Sequence, residues 1–277
     1  MGHQYAPSHI GFKGSEDLGN GMKANFLIST TAPTQSGGVG GGWESFVGLS
    51  GGFGEIKAGQ FFDPSFIHNA TYNVNGMSGF GGITSGGPGL LNQDVGLTAR
   101  QIQYSMPAVV PGLSLSISQS IGKAGTAEDA ATVAKELVAE VGDNIDIAIG
   151  YSVAGFSVGY ATNTDTVAAG TKTTSTGTGA SYDFGMAKVA YNATTNKVGT
   201  ATSATGSALG ISVPFGAATL SYESSSAKSA TAVKTTGSLW QVKYDLSKRT
   251  FAMVQYGSTK VATTTTNTTG VGLVHTF

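Results

Sequence analysis

Apolar and small polar residues alternate along much of this 277-residue chain. In the stretch 113–118 every second residue is leucine or isoleucine, and serine fills the positions between them. The stretches 145–151 and 240–245 alternate in the same way, with small or polar residues between the apolar ones. Successive side chains of a strand point to opposite faces of a sheet. Each stretch therefore predicts a strand with one apolar face and one polar face.

The pattern predicts fifteen strands, near residues 8–17, 22–32, 43–53, 55–64, 97–108, 113–122, 143–154, 156–166, 177–185, 187–194, 207–215, 217–225, 237–246, 250–258 and 267–277. Most approach the roughly 9–11 residues with which a strand tilted by about 45° crosses a bilayer. Strands of globular proteins average only about 5–6 residues. We therefore expect an all-β fold whose strands cross a membrane.

The connections are predicted to alternate between short glycine-rich turns and long polar loops. The predicted loops are 33–42, 65–96, 123–142, 167–176, 195–206, 226–236 and 259–266. Outer-membrane barrels have short turns on one side and longer loops on the other. The loop 65–96 is the longest, and a loop of that length is usually functional. Within 123–142, the apolar spacing over 125–141 predicts a short helix.

Composition points to the same class of protein. Charged residues make up 11% of the chain, less than half of the roughly 25% usual in soluble domains. No apolar run approaches the roughly 20 residues of a membrane-spanning helix. Hydrocarbon offers no hydrogen-bond partner to open backbone groups, so a membrane protein without such helices must be a closed barrel. The net charge of −1 gives no electrostatic footprint for nucleic acid.

The ends of the chain and its cysteine content add two further points. Cysteine is absent, so disulfide and thiolate chemistry is excluded. The N-terminal residues have no basic region followed by an apolar core, so we expect no signal peptide and a mature or trimmed chain.

Four segments resemble the Gram-negative general porins, especially the β-proteobacterial type. They are 10–19 (IGFKGSEDLG), 46–54 (FVGLSGGFG), 244–250 (YDLSKRT) and 271–277 (VGLVHTF), and they follow one another in the family's order. The resemblance implies a 16-stranded antiparallel transmembrane β-barrel, formed as a single domain over 1–277 and usually assembled as a homotrimer.

The same resemblance assigns roles to two parts of the chain. It implies that 65–96 is the third extracellular loop, folded into the lumen as a constriction. The terminal Phe277 matches the residue on which the outer-membrane assembly machinery is thought to act.

The chain departs from the family pattern in three ways. Its first predicted strand matches the family's second, so the opening strand is missing or truncated. Glutamine occupies two positions, Gln60 and Gln103, where the family often has pore arginines. The acidic motif at the entry to the constriction loop reads Pro64-Ser65-Phe66, without a carboxylate in those three residues.

If the apolar face meets lipid, charged side chains of the opposite face line the lumen, because Lys or Arg on the lipid face costs about 2–4 kcal/mol near the midplane. The pore-lining and selectivity candidates are Lys13, Lys23, Lys57, Gln60, Asp94, Arg100, Gln103, Asp146, Asp183, Lys188, Glu223 and Lys243. Lys13 and Lys23 match basic positions of the resembled family. Asp94 and Arg100 flank the end of the long loop and either pair there or face each other across the constriction. Any single residue can also be a merely solvated one.

These observations predict an integral outer-membrane porin that lets small hydrophilic solutes and ions diffuse passively through a water-filled channel. Two alternatives stay open: a substrate-specific outer-membrane channel, and a secreted β-rich adhesin or structural protein. The four histidines show no metal-ligand spacing, and we expect no enzyme activity, metal or cofactor. The expected partners are the lipid bilayer, further copies of the chain, the solutes, and the assembly machinery.

Overall fold

A computed structural model describes residues 8–32, 40, 42–75, 96–120, 143–168, 171–230 and 233–277. The described residues form fifteen antiparallel strands and one short helix. The helix in the described ranges is not long and apolar enough to span a membrane. The predicted helix at 125–141 lies outside the described residues.

Each strand pairs with the strands before and after it in sequence, so the sheet is one continuous meander. The strands are β1 (His9–Gly19), β2 (Met22–Thr31), β3 (Gly42–Gly51), β4 (Gly54–Phe62), β5 (Leu97–Ser105), β6 (Leu113–Ser120), β7 (Asn144–Val153), β8 (Phe156–Ala168), β9 (Thr171–Asp183), β10 (Lys188–Val198), β11 (Ala201–Phe215), β12 (Ala218–Ser229), β13 (Lys234–Ser247), β14 (Thr250–Val261) and β15 (Thr264–His275). The helix α1 (Pro64–Thr71) follows β4. The predicted all-β antiparallel fold with fifteen strands is confirmed.

The two edges of the sheet are β1 and β15. Within the described residues each pairs with one neighbour, and no ladder joins them to each other. An even number of antiparallel steps separates β1 from β15, so both strands run in the same direction.

Strands meet at two ends of the sheet, here called the turn end and the loop end. The turn end carries the connections after β1, β3, β5, β7, β9, β11 and β13, and the loop end carries the others. Four of the predicted loops at the loop end, 167–176, 195–206, 226–236 and 259–266, are wrong in extent. There β8, β10, β12 and β14 extend further towards the loop end, and only two to four residues separate each from the next strand.

The error has a physical cause in the threonine-rich sequence of these stretches. Threonine is a strong strand former, but hydroxyls on both faces give no apolar alternation to detect. The strands then reverse in tight hairpins at Gly199 and Ala262. Their φ angles of 60° and 51° are the left-handed values that such two-residue turns require.

The outward face of the sheet is apolar. In β13, Trp240, Val242 and Tyr244 are each about half exposed, whereas Leu239 and Gln241 on the other face are buried. The same contrast recurs from strand to strand, and it produces an apolar area much larger than the few hundred Å² usual on a soluble monomer. Such a surface is stable only when hydrocarbon covers it.

The sheet curves around a segment that follows β4. Asp63 contacts Thr98 on β5, and twelve residues later Asn75 contacts Ser221 on β12. In a flat sheet these two strands would lie roughly 34 Å apart. The segment is folded rather than extended, with a helix about 12 Å long and a backbone hydrogen bond from Asn73 back to Ala70. The inner faces of β5–β12 therefore wrap around it.

Candidate functional site

The inner face of the curved sheet is lined by amides, hydroxyls and carboxylates. Its buried polar side chains include Gln101, Gln103, Ser118, Asn144, Asp146, Asn163, Asn192, Ser221, Glu223, Gln241 and Gln255. Polar side chains are costly in a dry core unless all their hydrogen bonds are satisfied. A face built almost wholly from them is suited to enclose water.

The residues Asp63–Asn75, here called the inward segment, lie against this face. Pro64 begins α1 at a position where the missing N–H costs nothing. The carboxylate of Asp63 does not cap the helix. It accepts hydrogen bonds from the Thr98 hydroxyl at 2.8 Å and the Gly96 amide at 3.3 Å instead. The helix therefore starts at a point fixed to β5.

In the first turn of the helix, Ser65 contacts the wall at β7. Its backbone N–H donates to the Asp146 carboxylate at 2.9 Å, and its hydroxyl donates to the other carboxylate oxygen. Asn163 on β8 donates to the same carboxylate at 3.0 Å. Ser65 and Asp146 are fully buried, so water does not compete for this contact.

Three more contacts hold the rest of the inward segment. Asn192 of β10 donates to the Asn69 side chain at 3.1 Å, and Ser221 of β12 donates to Asn75 at 2.6 Å. The Tyr72 hydroxyl lies 3.1 Å from that of Ser157 on β8. The segment is thus hydrogen-bonded to β5, β7, β8, β10 and β12.

Glycines in the wall make the close approach possible. A Cβ atom added at Gly179 would lie 2.0 Å from the Tyr72 ring, and one at Gly210 would lie 2.4 Å from Val74. Real Cβ atoms never approach so closely, so β9 and β11 need glycine at these points. The inner wall is recessed to accept the segment.

Burial shifts the proton affinity of side chains in the inward segment. Desolvation raises the pKa of Asp63 to about 6, although hydrogen bonds from Thr98 and Gly96 oppose the shift. Desolvation lowers the pKa of His68 to about 4. It also raises the pKa of Tyr72, against the opposing hydrogen bond with Ser157. Each shift favours the uncharged form, as expected where water is excluded.

Lys57 faces inward between two aromatic rings. Its Nζ lies 4.1 Å from the centroid of Phe61 and 5.2 Å from that of Phe46, within the range of cation–π attraction. Gln103 is its register partner on β5. Lys57 and Gln103, together with Glu44, line a pocket of about 290 Å³ between α1 and the turn end.

Four further predicted residues lie on the inward face of β9–β13. Glu223 is 2% exposed beneath the end of the inward segment. Lys188 donates to the Thr71 carbonyl at 3.5 Å, and Lys243 forms an ion pair of 2.9 Å with Asp245. Asp183 lies at the turn end, where it accepts a hydrogen bond from the Gly185 amide.

Lys13 and Lys23 also lie on the inward side. On β1, Lys13 alternates with the outward-facing Phe12, and on β2, Lys23 alternates with the outward-facing Met22. In the register, Lys13 pairs with Leu27, and Lys23 pairs directly with Asp17.

The remaining predicted residues have different surroundings. Gln60 pairs with Ser45, on the strand face opposite to Lys57, and its amide donates to the Trp43 carbonyl at 2.9 Å. Arg100 sits in a bulge of β5 with a φ of 53°. Phe277 is fully exposed after β15. Asp94 lies outside the described residues, so the predicted relation between Asp94 and Arg100 remains a prediction, as do the pore roles of all these residues.

Sequence reasoning missed most of the contacts of the inward segment. The sequence predicted an entry to the loop without a carboxylate in residues 64–66. Asp63, directly before these residues, supplies a buried carboxylate. The partners of Asn69 and Asn75 lie more than 120 residues away, and no local spacing announces them. The sequence signal for these contacts is glycine at inward positions of β9 and β11.

A curved antiparallel meander with an apolar outer face, a polar inner face and a segment folded against the inside is the architecture of integral outer-membrane β proteins. Residues 1–264 match the family model described as Gram-negative porin. The chain belongs to this family, and it is a protein of the outer membrane.

Relatives by sequence are the major outer membrane proteins P.IB of Neisseria. The protein from Neisseria gonorrhoeae is 49% identical over 71 residues, which cover 24% of this chain and 19% of the relative. The one from Neisseria lactamica is 44% identical over 71 residues, covering 24% and 20%. The matches thus span about a fifth of the length of these curated relatives.

Solved structures show the same fold over the whole chain. The anion-selective porin from Comamonas acidovorans has a TM-score of 0.82 at 22% identity, covering 99% of this chain and 90% of that one. OmpT of Vibrio cholerae in its trimer form has a TM-score of 0.69 at 13% identity, covering 96% and 90%. OmpF of Salmonella typhi has a TM-score of 0.64 at 19% identity, covering 90% and 81%.

Proposed function

We propose that the protein forms a water-filled channel through which small hydrophilic solutes and ions diffuse passively. The observation that carries this proposal is the opposition of the two sheet faces. The apolar residues face outward and the amides, hydroxyls and charges face inward. Solutes would cross down their gradients without a chemical step, so we propose a channel and not an enzyme.

The inward segment would set the narrowest part of the channel. It lies on the inner wall of β5–β12, and hydrogen bonds to five strands hold it there. A segment held at so many points would give a fixed aperture with a steady current. We propose that the full loop 65–96, of which the structure describes 65–75 and 96, is this constriction.

We propose a weak preference for anions. The inward Lys13 and Lys23 are exposed. Among the inward carboxylates, Asp146 and Glu223 are buried, and Asp17 and Asp183 are exposed. Exposed charges act on passing ions more strongly than buried, hydrogen-bonded ones. One of the fold relatives carries the description anion-selective.

The assembly is proposed to be a homotrimer inserted through the outer-membrane assembly machinery with Phe277 as its signal. The trimer form of one fold relative supports the first part. The exposed terminal aromatic ring supports the second.

Single-channel recording in planar bilayers tests the proposal. The detergent-purified protein should give a stable stepwise conductance, with steps in groups of three for a trimer. A salt gradient should give a reversal potential of anionic sign. Protein that is folded by circular dichroism but shows no conductance would contradict the channel.

The pocket beside Lys57 favours a second candidate, a channel specific for one class of solute. It presents both charge signs, from Lys57 and Glu44, next to an amide and hydroxyls. Specific binding would make the conductance saturate as one solute is added. If the conductance instead changed linearly with the concentration of every small solute tested, the general porin would be favoured over the specific channel.

A further inference from the structure

The pocket beside Lys57 presents two opposite charges that do not pair with each other. Glu44 of β3 and Lys57 of β4 both line its wall. The Lys57 ammonium lies over the rings of Phe46 and Phe61, and within the described ranges neither Lys57 nor Glu44 forms an ion pair. Both charged groups can therefore bind a solute that enters the pocket.

The two charges lie at a similar height in the wall. The Lys57 side chain extends towards the loop end, because its Nζ lies 4.1 Å from the ring centroid of Phe61, which follows later on the same strand. In the register, Gln60 next to Phe61 pairs with Ser45 next to Glu44. The ammonium of Lys57 thus reaches towards the level of the Glu44 carboxylate. A solute with two charged groups can contact both at once.

The local charge balance disfavours solutes of a single charge. Besides Glu44, Glu55 also lies within electrostatic range of Lys57. An anion attracted by Lys57 would approach these two carboxylates, and a cation attracted by Glu44 would approach the ammonium of Lys57. A zwitterion places each of its charges next to the opposite charge of the wall. Complementarity of this kind gives specificity, because the wrong partner brings like charges together.

The rest of the pocket combines an apolar side with a row of hydroxyls. Ile67 of α1 lines the pocket and is 53% exposed. Covering this apolar side chain would be favourable, since it removes apolar surface from water. The strand side of the pocket carries Ser114 and Ser116 of β6 and Ser152 of β7. Apolar surface with a few placed polar groups is the usual composition of a small-molecule site.

We propose that this pocket binds small zwitterionic solutes of the α-amino-acid type that carry an apolar side chain. The carboxylate of the solute would contact the Lys57 ammonium and serine hydroxyls, and its ammonium group would contact Glu44. Its side chain would cover Ile67. The inference deepens the second candidate of the proposed function, and it rests on the channel, because the solute would reach the pocket through the lumen.

The experiment compares L-leucine with two analogues that each lack one of its charges, 4-methylpentanoate and 3-methylbutylamine. Each solute is titrated into the folded, detergent-solubilised protein by calorimetry and added to open channels in planar bilayers. Leucine should bind saturably and lower the current with the same half-saturation. Each analogue should bind about fivefold more weakly, because it loses one ion pair, and fivefold corresponds to roughly 1 kcal/mol.

Substitutions in the wall should change the preference in opposite directions. K57Q should weaken leucine binding about fivefold and strengthen binding of the amine, whereas E44Q should weaken leucine binding equally and strengthen binding of the acid. The matched controls K228Q and E16Q remove the same charges from exposed positions on the outward face of β12 and β1. Both controls should bind leucine like the wild type. Heat-modified migration on gels verifies that each variant is folded.

The two readouts separate failure of the site from failure of the channel. Protein that binds leucine in detergent but conducts no ions would support the site and contradict the channel. Protein that conducts but binds leucine no better than both analogues would overturn the site and keep the channel. Unchanged leucine binding in K57Q and E44Q, or equal weakening in the two controls, would also overturn the site. If K57Q does not fold, E44Q and the two analogues decide the question.

Discussion

Ser65 and Asp146 form the most enclosed contact between the inward segment and the wall. Both the N–H and the hydroxyl of Ser65 donate to one carboxylate, and both residues are fully buried. The relationship fixes the first turn of α1 against β7. Only non-covalent contacts attach the inward segment to the wall at this point. The position of the proposed constriction therefore depends on such contacts.

Replacing Asp146 by alanine should release the beginning of the inward segment. The substitution leaves the Ser65 N–H and the Asn163 amide without their buried acceptor, at a cost of about 1–3 kcal/mol. We expect noisier single-channel current and faster proteolysis within residues 64–75. The control Asp183→Asn changes a carboxylate at the turn end and should leave both measurements near the wild type. Quiet current from the alanine variant would show that Asp146 does not hold the segment.

Replacing Gly179 by alanine should displace Tyr72. The added Cβ would fall 2.0 Å from the ring, a distance that requires one of the two to move. Gly177→Ala, where the nearest contact would be 3.2 Å to Asn69, should have a smaller effect. Hydrogen exchange of the amides at 64–75 measures the loosening in both.

A double-variant cycle makes this prediction specific. Removing the ring in Tyr72→Ala should abolish most of the additional effect of Gly179→Ala, because the clash partner is gone. Purely additive effects of the two substitutions would mean that Gly179 matters for the strand itself.

Acid should act on the inward segment through two groups of opposite sign. His68 has a docked pKa of about 4 against an ordinary 6.5, so its contribution to docking is complete above pH 6.5 and is lost as the pH falls towards 4. Asp63 has a docked pKa of about 6 against 3.8. Its protonation therefore favours docking below 3.8, and this contribution is lost as the pH rises through 6.

The two contributions can be separated by substitution. His68→Asn should leave a segment that docks more tightly as the pH falls from 7 to 4.5, seen as fewer closures in single-channel records. Asp63→Asn should show the opposite departure from the wild type, with more closures at pH 4.5, because the contribution of Asp63 is lost and that of His68 remains. The same direction of change in both variants would rule out this assignment.

Selectivity should respond to the exposed lumen lysines. Lys13→Gln combined with Lys23→Gln should move the reversal potential in a tenfold salt gradient towards the cationic sign, because two exposed positive charges are lost. The control replaces Lys243 by Gln and Asp245 by Asn together, which removes an inward ion pair of 2.9 Å and leaves the net charge unchanged. A shift as large in this control as in the variant without Lys13 and Lys23 would exclude a special role of those two lysines.

The sequence was sufficient for the strands whose two faces differ in polarity. Alternating leucine and serine predicts β6, and the position of Asp146 between Ile145 and Ile147 predicts that its carboxylate points inward. Hydropathy failed where threonine and serine occupy both faces, as in the first half of β11, because strand formation there depends on backbone preference and pairing.

The fixing of the inward segment could not be predicted. The partners of Asn69 and Tyr72 are set by the curvature of the whole sheet, and an asparagine or tyrosine in a loop carries no mark of its distant contact. Glycine at 177 and 179 fits a strand with small inward side chains equally well. Only the position of the inward segment shows why a side chain is missing at 177 and 179.

Because β1 and β15 run in the same direction, only certain numbers of strands can fill the gap between these two sheet edges. Two strands that both descend from the loop end can pair with each other only as a parallel couple. If every pairing is to be antiparallel, an odd number of strands must lie between β1 and β15. One strand that runs from the turn end to the loop end would be enough, because it could hydrogen-bond to β1 on one side and to β15 on the other. No adjustment of tilt or register changes this count, so whatever lies in the gap of a fully antiparallel ring must enter it from the turn end.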